Sequence, residues 1–355
     1  MLAPSLAAAA DNAGPPAVPV SVAKAVRRNL PIYLQGLGTI QAYNTVTIRP
    51  QIDGQLIKLA VTEGQDVHTG DLLFVIDPRP FQAAFDQALA KKAQDEALLA
   101  NARLDLQRYA QLVERNYVAR QQLDTTQAQV NQLQAAVQGD DAAIESARVT
   151  LGYTSIRSPI DGRVGIRNVD VGNIVHASDG TGMLVITQIR PIFVIFTLPE
   201  AVLQRVLKAG SAGRLKVAAI SRDGTQLLDD GTLDLVDNQV DQTTGTVRLR
   251  ATLPNKAARL WPGQFVNARL EVEHLSAVLT VPIEAIQRGP QGSYAFVVKA
   301  DGTVELRNVA LGEVSEGVAV IANGIAEGET VVTAGQYRLQ PGSRVELKPE
   351  QTTAR

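Results

Sequence analysis

Between residues 81 and 151, apolar residues recur at alternating steps of three and four, which is the spacing of a coiled-coil seam. One run of this spacing ends at Val113, and a second begins at Leu123. Each arm is about 35 residues long, so a helix of that length would reach about 50 Å. We therefore predict one long antiparallel helical hairpin over residues 78–151 that projects from the rest of the chain.

Four polar residues interrupt the two runs: Lys92, Asp95, Thr126 and Asp140. If the chain folds back about Asn116, Lys92 lies opposite Asp140. One opposed charged pair inside an apolar seam can fix the register at some expense of stability, and we predict this pair on that basis. Two alternatives stay open: both side chains extend to solvent, or an asymmetric turn slides the register by a few residues.

The segments on either side of the predicted hairpin repeat one another. Residues 48–54 read IRPQIDG and residues 156–162 read IRSPIDG, so that Asp161 repeats Asp53 at an offset of 108 positions. The repeated turn residues are Asp53 and Asp161, Gly54 and Gly162, and Gly64 and Gly172. Each copy has the pattern of short strands separated by Asp-Gly and Gly turns. Two such halves predict a small, quasi-symmetric all-β domain that is opened at its middle to admit the hairpin.

This split pair of half-motifs resembles a biotinyl/lipoyl-type domain interrupted by a coiled-coil hairpin. That arrangement is typical of periplasmic adaptor subunits, the HlyD-type membrane fusion proteins of tripartite efflux pumps. Four further phrases are similar to adaptors of resistance–nodulation–division (RND) multidrug transporters, nearest the MdtA-like branch: Arg190–Val194, Thr244–Arg248, Leu260–Val266 and Val281–Ile286. The resemblance covers nearly the whole chain and implies an elongated, multidomain α+β fold that is mostly β.

The strand patterns and the resemblance together predict nested layers. The predicted divisions are a residual signal or flexible leader at 1–17, a membrane-proximal β-domain at 18–28 and 276–347, a β-barrel at 29–45 and 189–275, a split lipoyl-like domain at 46–77 and 152–188, the helical hairpin at 78–151, and a loose tail at 348–355. Such nesting predicts a rod that has both chain ends near one end and the hairpin tip at the other.

The resemblance implies a bridge between two membranes. Several copies, as a hexamer or a trimer of dimers, would form a sealed conduit from an inner-membrane RND transporter to an outer-membrane TolC-type channel. This role would place the protein in the periplasm of a Gram-negative bacterium, associated with the inner membrane. The formal net charge is −2, and nothing in the sequence suggests the basic face of a nucleic-acid-binding domain, so we expect no nucleic-acid partner.

No motif in the sequence carries catalytic chemistry. The absence of cysteine excludes disulfides, thiolate metal sites and a cysteine nucleophile. No P-loop, Gly-x-Ser-x-Gly or His-Glu-x-x-His pattern is present. His68 and His176 occupy matching positions of the repeat, but two histidines fall short of the three or four ligands that a zinc site needs. We therefore expect no catalytic residue, no metal and no cofactor.

Two alternative functions stay open. An adaptor of an ABC-type exporter or of a type I secretion system would also carry a hairpin, although secretion adaptors usually bring an N-terminal membrane helix, and no run of about 20 apolar residues is present. A lipoyl or biotinyl carrier would need a lysine at the turn that joins the two half-motifs, and here the predicted hairpin replaces that turn. Heavy-metal RND adaptors typically carry methionine and histidine ligands for soft metals. This sequence has only two methionines, which argues against a heavy-metal adaptor.

The resemblance also implies a channel-docking site at the tip of the hairpin. Adaptors of this family carry there an arginine, three residues, a leucine, six residues and a serine. Arg108 and Leu112 match this pattern, and Ala119 stands at the serine position, where it cannot cap the second helix as serine could. Tyr109 and Val113 fill the predicted seam, so Arg108 and Leu112 lie one step off it and can face a partner. The alternative is that Leu112 only packs the turn and Arg108 is solvated.

Overall fold

The computed structural model describes residues 17–347. The predicted tail, and the predicted leader except for residue 17, lie outside the described residues. The chain forms two compact units. The first unit combines the residues up to Thr39 with Val194–Leu253 and the residues from Gln264 onward, and the second combines Ile40–Phe193 with Pro254–Gly263.

Strands make up most of the regular structure. In chain order they are β1 (Val18–Lys24), β2 (Val26–Ile48), β3 (Gly54–Leu59), β4 (Asp66–Val67), β5 (Leu72–Ile76), β6 (Ser155–Arg157), β7 (Gly162–Val164), β8 (Ile174–Val175), β9 (Leu184–Pro199), β10 (Lys216–Ile220), β11 (Leu227–Asp241), β12 (Thr246–Leu253), β13 (Phe265–Pro282), β14 (Gln287–Gly289), β15 (Gly292–Val298), β16 (Val304–Asn308), β17 (Ala310–Ser315), β18 (Val318–Asn323), β19 (Thr330–Ala334) and β20 (Val345–Leu347). The helices are α1 (Arg79–Glu114), α2 (Arg120–Gly152) and α3 (Leu203–Ala212). The prediction of a mostly β fold with one long helical hairpin is confirmed.

Helices α1 and α2 pack against each other as the hairpin that the apolar spacing predicts. Pro78 immediately precedes α1, and Pro80 lies in its first turn, where the missing N–H has no helical partner to lose. The middle of the seam is a small core of buried and half-buried side chains: Leu99, Ala102, Leu106, Val130, Leu133 and Val137. All six occupy positions of the predicted spacing, so that spacing selects the buried face of each helix.

In the second unit, the hairpin is inserted between two neighbouring strands. Strand β5 leads directly into α1, and α2 leads back into β6, which pairs antiparallel with β5. Strands β6, β5, β3 and β8 form one sheet in that order, and β7 joins β4 to β9. The core consists of large apolar side chains that are almost fully buried, including Leu56, Leu73, Phe74, Ile76, Leu184 and Ile186. Burial of each such side chain contributes about 1.5–3 kcal/mol to stability.

The first unit contains two groups of strands. Strands β17, β18, β13, β10, β11, β12 and β9 are neighbours in that order, and β2 pairs with both β13 and β9. A second sheet has the order β14, β15, β19, β1 and β20, with β16 paired to β15. Strand β1 is antiparallel to β19 and parallel to β20, so an N-terminal strand completes a sheet that is otherwise built from the C-terminal residues.

Several predicted domain boundaries fall inside continuous strands. Strand β2 runs through the predicted divisions at 28/29 and 45/46, β9 through the division at 188/189, and β13 through the division at 275/276. No turn residue marks these places, because a strand that passes from one group of strands to the next keeps its side chains alternating between two faces. The domain division stays a prediction. No helix in the part of the chain that the structure describes is both long and apolar enough to cross a membrane.

Candidate functional site

The tip of the hairpin is a short loop that reverses the chain. Helix α1 ends at Glu114 and α2 begins at Arg120. Within the loop Asn116 has φ +60°, a left-handed conformation that asparagine tolerates better than most residues. The backbone N–H of Asn116 donates to the carbonyl of Val113 at 2.9 Å, and the N–H of Tyr117 donates to the carbonyl of Leu112 at 3.0 Å. The chain therefore reverses in the loop around Asn116, the position from which the predicted register was counted.

Arg108 and Leu112 both lie on the outside of the last turns of α1. The Arg108 side chain is 73% exposed, and its Nη1 atom donates to Asp105 Oδ1 on the same helix at 3.1 Å. Leu112 is 37% exposed, whereas Tyr109 and Val113 are half-buried in the seam. Both residues are thus available to a partner, and docking at this tip stays a prediction.

Ala119 occupies the N-cap position of α2. Its backbone is extended, with φ −64° and ψ 141°, and it provides no side-chain cap. Its carbonyl accepts the N–H of Gln122 at 3.0 Å. A serine at this position would place a hydroxyl where it could accept an N–H of the first turn, so the departure from the family pattern removes one helix cap.

Tyr117 is a feature of the tip that the sequence analysis missed. It is 74% exposed and is the aromatic residue of the loop. Arg115 and Arg120, both exposed, flank it. The sequence signal that could have revealed Tyr117 is its place in the break between the two runs of apolar spacing. An aromatic residue there does not belong to the coiled-coil seam. The tip therefore presents an aromatic ring among arginines.

The predicted pairing of Lys92 with Asp140 is wrong by one residue. Lys92 Nζ lies 2.6 Å from Asp141 Oδ1 and 3.5 Å from Glu96 Oε1, and these contacts raise the pKa of Lys92, with the Asp141 hydrogen bond as the largest cause. Neighbouring residues on a helix point about 100° apart. Lys92 accordingly leaves the seam for the flank on which Asp141 lies, while Asp140 stays half-buried.

A second ion pair occupies the same layer of the hairpin. Asp95 is buried, and its Oδ2 atom lies 2.5 Å from Lys91 Nζ. The hydrogen bond to Asp95 raises the pKa of Lys91, and the charge of Asp140 adds to the rise. Among the described residues, Asp140 Oδ2 is a buried oxygen that has no hydrogen-bond partner. The polar interruption that the sequence revealed is therefore a layer of two lysines and their carboxylates.

The repeated turns of the split domain make matching contacts across its two halves. Asp53 Oδ1 accepts the N–H of Ala177 at 2.7 Å, and Asp161 Oδ1 accepts the N–H of Thr69 at 2.7 Å. Residues 69 and 177 are themselves equivalent in the repeat. These backbone hydrogen bonds are the main cause that lowers the pKa of both carboxyls. Each half therefore anchors a turn of the other half.

The repeated glycines are required by close packing and by backbone conformation. A Cβ atom on Gly54 would lie 2.5 Å from Ile76 Cγ2, and one on Gly162 would lie 2.8 Å from the carbonyl oxygen of Thr187. Gly64 and Gly172 have φ values of +77° and +100°, which favour glycine. Strand pairing follows the same quasi-symmetry, since Gly54 pairs with Val175 and Gly162 pairs with Val67.

The two equivalent histidines lie beside these turns. His68 Nδ1 is 3.8 Å from Asp161, and His176 Nδ1 is 3.5 Å from Asp53. Their side chains are 85% and 52% exposed. Over residues 17–347, no group of three or more histidine, cysteine, aspartate or glutamate side chains is arranged to hold a metal ion. The histidines thus belong to the repeated turns.

Three family models match the chain in sequence order. They describe the barrel-sandwich hybrid domain of RND membrane fusion proteins over residues 44–187, the β-barrel domain of RND membrane fusion proteins over 191–274, and the C-terminal permuted SH3-like domain of YknX over 278–347. The first match includes both helices of the hairpin, and the second and third cover most of the strands that follow it in the chain.

Similar proteins match across almost the whole chain. The multidrug resistance protein MdtA of Erwinia amylovora is 44% identical over 337 residues, which are 95% of this chain and 83% of that protein. MdtA of Escherichia coli is 45% identical over 338 residues, or 95% of this chain and 81% of that protein.

Solved structures share the fold. A MacA–MexA chimeric protein with the Pseudomonas aeruginosa MexA α-hairpin domain is 28% identical with a TM-score of 0.53, and the match covers 88% of this chain and 100% of that chain. MacA from Actinobacillus actinomycetemcomitans is 23% identical with a TM-score of 0.52, over 88% and 99% of the two chains.

Proposed function

The chain belongs to the RND membrane fusion proteins, and we propose that it is the periplasmic adaptor of a tripartite multidrug efflux pump. The observation that carries this proposal is the match to MdtA multidrug resistance proteins over 95% of the chain. A bridging subunit needs a long element that extends from a folded domain. The hairpin, which is inserted between two strands of the split β-domain, is such an element. In this role the chain associates with the inner membrane and connects an RND transporter to an outer-membrane TolC-type channel.

We assign the parts of the bridge as follows. The hairpin tip, with Arg108, Leu112 and the capping position Ala119, contacts the channel. The exposure of Arg108 and Leu112 supports this role. The β-domain of 18–28 and 276–347 and the β-barrel of 29–45 and 189–275 contact the transporter. The split domain of 46–77 and 152–188 packs against its copies, in a hexamer or a trimer of dimers. The hairpin spans 78–151 in this division.

We propose no catalytic activity and no attached prosthetic group for this chain. A lipoyl or biotinyl carrier needs a lysine at the turn between its half-domains, and in this chain α1 and α2 are inserted there. The intact mass of protein purified from its own host should equal that of the unmodified polypeptide after export. An added lipoyl or biotinyl mass would overturn this part of the proposal.

A deletion strain of the host tests the adaptor role directly. Loss of the chain should lower resistance to drugs that the pump exports, and the intact chain supplied on a plasmid should restore it. Purification of the tagged chain after in-cell cross-linking should recover an RND transporter together with an outer-membrane channel. Recovery of an ABC transporter, with unchanged drug resistance in the deletion strain, would contradict the RND assignment and favour the alternative exporter.

A further inference from the structure

Strand β13 joins two parts of the first unit through a narrow ribbon. Its residues 267–270 pair with β10, and its residues 280–282 pair with β18. Between these stretches, among the described strands, β13 pairs with β2 alone, and its register shifts between Glu271 and Glu273 and again between Leu275 and Val278. Two-stranded ribbons twist more than wide sheets and are marginally stable alone. The ribbon is therefore the natural hinge of this unit.

The second register shift of the ribbon, between Leu275 and Val278, is a bulge that hydrogen bonds fix in place. Ala277 has φ +52°, a conformation that is uncommon for a residue with a side chain. Its N–H donates to Asn29 Oδ1 at 3.0 Å, and its carbonyl accepts Arg27 Nη1 at 2.9 Å. Both partners lie on β2, so the two strands of the ribbon hold the bulge between them.

A β-hairpin from the C-terminal part reaches back along this ribbon. Strands β17 and β18 are joined by Glu316 and Gly317, whose φ values of +49° and +75° fit a tight primed turn. Next to this turn, Ser315 Oγ donates to the carbonyl of Pro31 on β2 at 2.7 Å. Burial raises the pKa of Tyr33, and the charge of Glu316 adds to the rise. The turn thus lies beside the ribbon residues of β2.

Arg205 on α3 connects this β-hairpin to the barrel strands. Arg205 Nη2 lies 3.2 Å from Glu273 Oε2 on β13, and Arg205 Nη1 lies 2.9 Å from Glu313 Oε1 on β17. Glu313 falls where the pairing of β17 with β18 shifts, between Leu311 and Val314. One guanidinium therefore holds a carboxylate of the ribbon on the barrel side of the Ala277 bulge, Glu273, and a carboxylate of the β17–β18 hairpin, Glu313.

We propose that Arg205 is a reversible latch that holds the β17–β18 hairpin against α3 and so restrains the hinge in the β2–β13 ribbon. The Arg205 side chain is 33% exposed, and those of Glu273 and Glu313 are 49% and 47% exposed. Ion pairs with this degree of exposure are individually weak. The latch can therefore open and close without unfolding either part, and the Ser315 contact with Pro31 opens with it.

The two carboxylates make the latch testable by one matched pair of variants. Glu313→Gln removes the ion pair between α3 and the β17–β18 hairpin. Glu273→Gln removes the ion pair between α3 and the barrel side of the Ala277 bulge, with the same change of chemistry on the same arginine. Because the chain has no cysteine, cysteines introduced at Leu207 on α3 and at Tyr337 in the C-terminal part accept two spin labels without background. Pulsed EPR on the isolated protein then reports the distance distribution across the hinge, independently of any pump.

The latch predicts that Glu313→Gln and Arg205→Gln enlarge a second, displaced population. The ratio of displaced to latched molecules should rise by a factor of about two to five, as expected for loss of one exposed ion pair. Glu273→Gln should leave the distribution close to that of the parent. Labels at Leu207 and Leu235, both on the barrel side, should report no change in any variant.

Two results with the single variants would overturn the latch. One is a Glu313→Gln distribution that equals the parent distribution. The other is an equal or larger change in Glu273→Gln, which would mean that Arg205 only anchors α3 to its own barrel. The exchange of charges in Arg205→Glu with Glu313→Arg should recover part of the parent distribution, and failure to recover any of it would also count against the ion pair.

Discussion

The carboxylate of Asp53 accepts a 2.7 Å hydrogen bond from the backbone N–H of Ala177, which lies beyond the helical hairpin in the sequence. The quasi-symmetric contact joins Asp161 to the N–H of Thr69 at the same distance. These two contacts close the split domain from both sides, so that the long insertion leaves the two halves attached to each other. The domain can therefore hold the base of the hairpin as one body.

We expect Asp53→Asn and Asp161→Asn to weaken the split domain to a similar degree. The pKa of each carboxyl lies below its ordinary value, because a backbone N–H stabilises the charged form. Such a group stabilises the fold above its unfolded pKa of about 3.9, and that contribution is lost as pH falls through the lower folded value. Acid unfolding followed by circular dichroism should show a smaller loss of stability with falling pH in both variants than in the parent. Unfolding curves that coincide with the parent's would contradict the closing role.

The corrected ion pair in the hairpin predicts an asymmetry between two adjacent aspartates. A double-mutant cycle should give a favourable coupling for Lys92 with Asp141, and a smaller one for Lys92 with Asp140. The variants are Lys92→Gln, Asp140→Asn and Asp141→Asn with their combinations, and the readout is the thermal midpoint of the helical signal. The larger coupling at Asp140 would instead support the pairing of Lys92 that the sequence predicts.

Asp140 itself is predicted to be a weak point of the seam. One of its carboxylate oxygens is buried without a hydrogen-bond partner among the described residues, which costs about 1–3 kcal/mol for a typical polar group. Asp140→Leu should therefore raise the thermal midpoint of the hairpin. Asp141→Leu is the control on the neighbouring exposed position, and it should lower the midpoint because it removes the partner of Lys92. A lower midpoint in Asp140→Leu would show that the carboxylate has a partner in solution.

The missing cap at Ala119 gives a prediction that separates stability from function. Ala119→Ser should stabilise the start of α2 by about 0.5–2 kcal/mol, because the hydroxyl can accept an N–H of the first turn. Hydrogen exchange at the amides of residues 120–123 should slow, and drug resistance should stay at the parent level. Ala119→Val, which cannot cap, is the control and should not slow the exchange. Loss of resistance in Ala119→Ser would mean that the family pattern misrepresents this turn.

The sequence predicted the hairpin, because a three–four spacing permits only one buried face on each helix. It predicted the split domain, because the repeat preserves the turn residues together with the valines that pair with the turn glycines and the histidines beside the turn aspartates. The partner of Lys92 was missed because apolar spacing does not specify which flanking carboxylate a long, flexible side chain reaches. The Arg205 contacts could not be predicted at all, since they join α3, β13 and β17 through tertiary packing that no local pattern records.

Substitutions at the hairpin tip test the proposed contact with the outer-membrane channel. Arg108→Asp, Leu112→Asp and Tyr117→Asp should leave a folded, exported protein and abolish pump-dependent drug resistance, because each places a negative charge on the proposed contact with the channel. Leu104→Asp is the matched control, since Leu104 is 52% exposed on the same helix but lies further from the tip. It should retain resistance at normal expression.

Site-specific photo-cross-linking in the living host tests this contact most directly. A photoreactive residue at position 112 or 117 should form a covalent adduct with the outer-membrane channel, and the same residue at position 104 should not. The adduct from position 117 should also disappear when Arg108→Asp is introduced into the same chain. Equal cross-linking from positions 104 and 112, or no channel adduct from the tip while the strain stays fully resistant, would contradict docking through the hairpin tip.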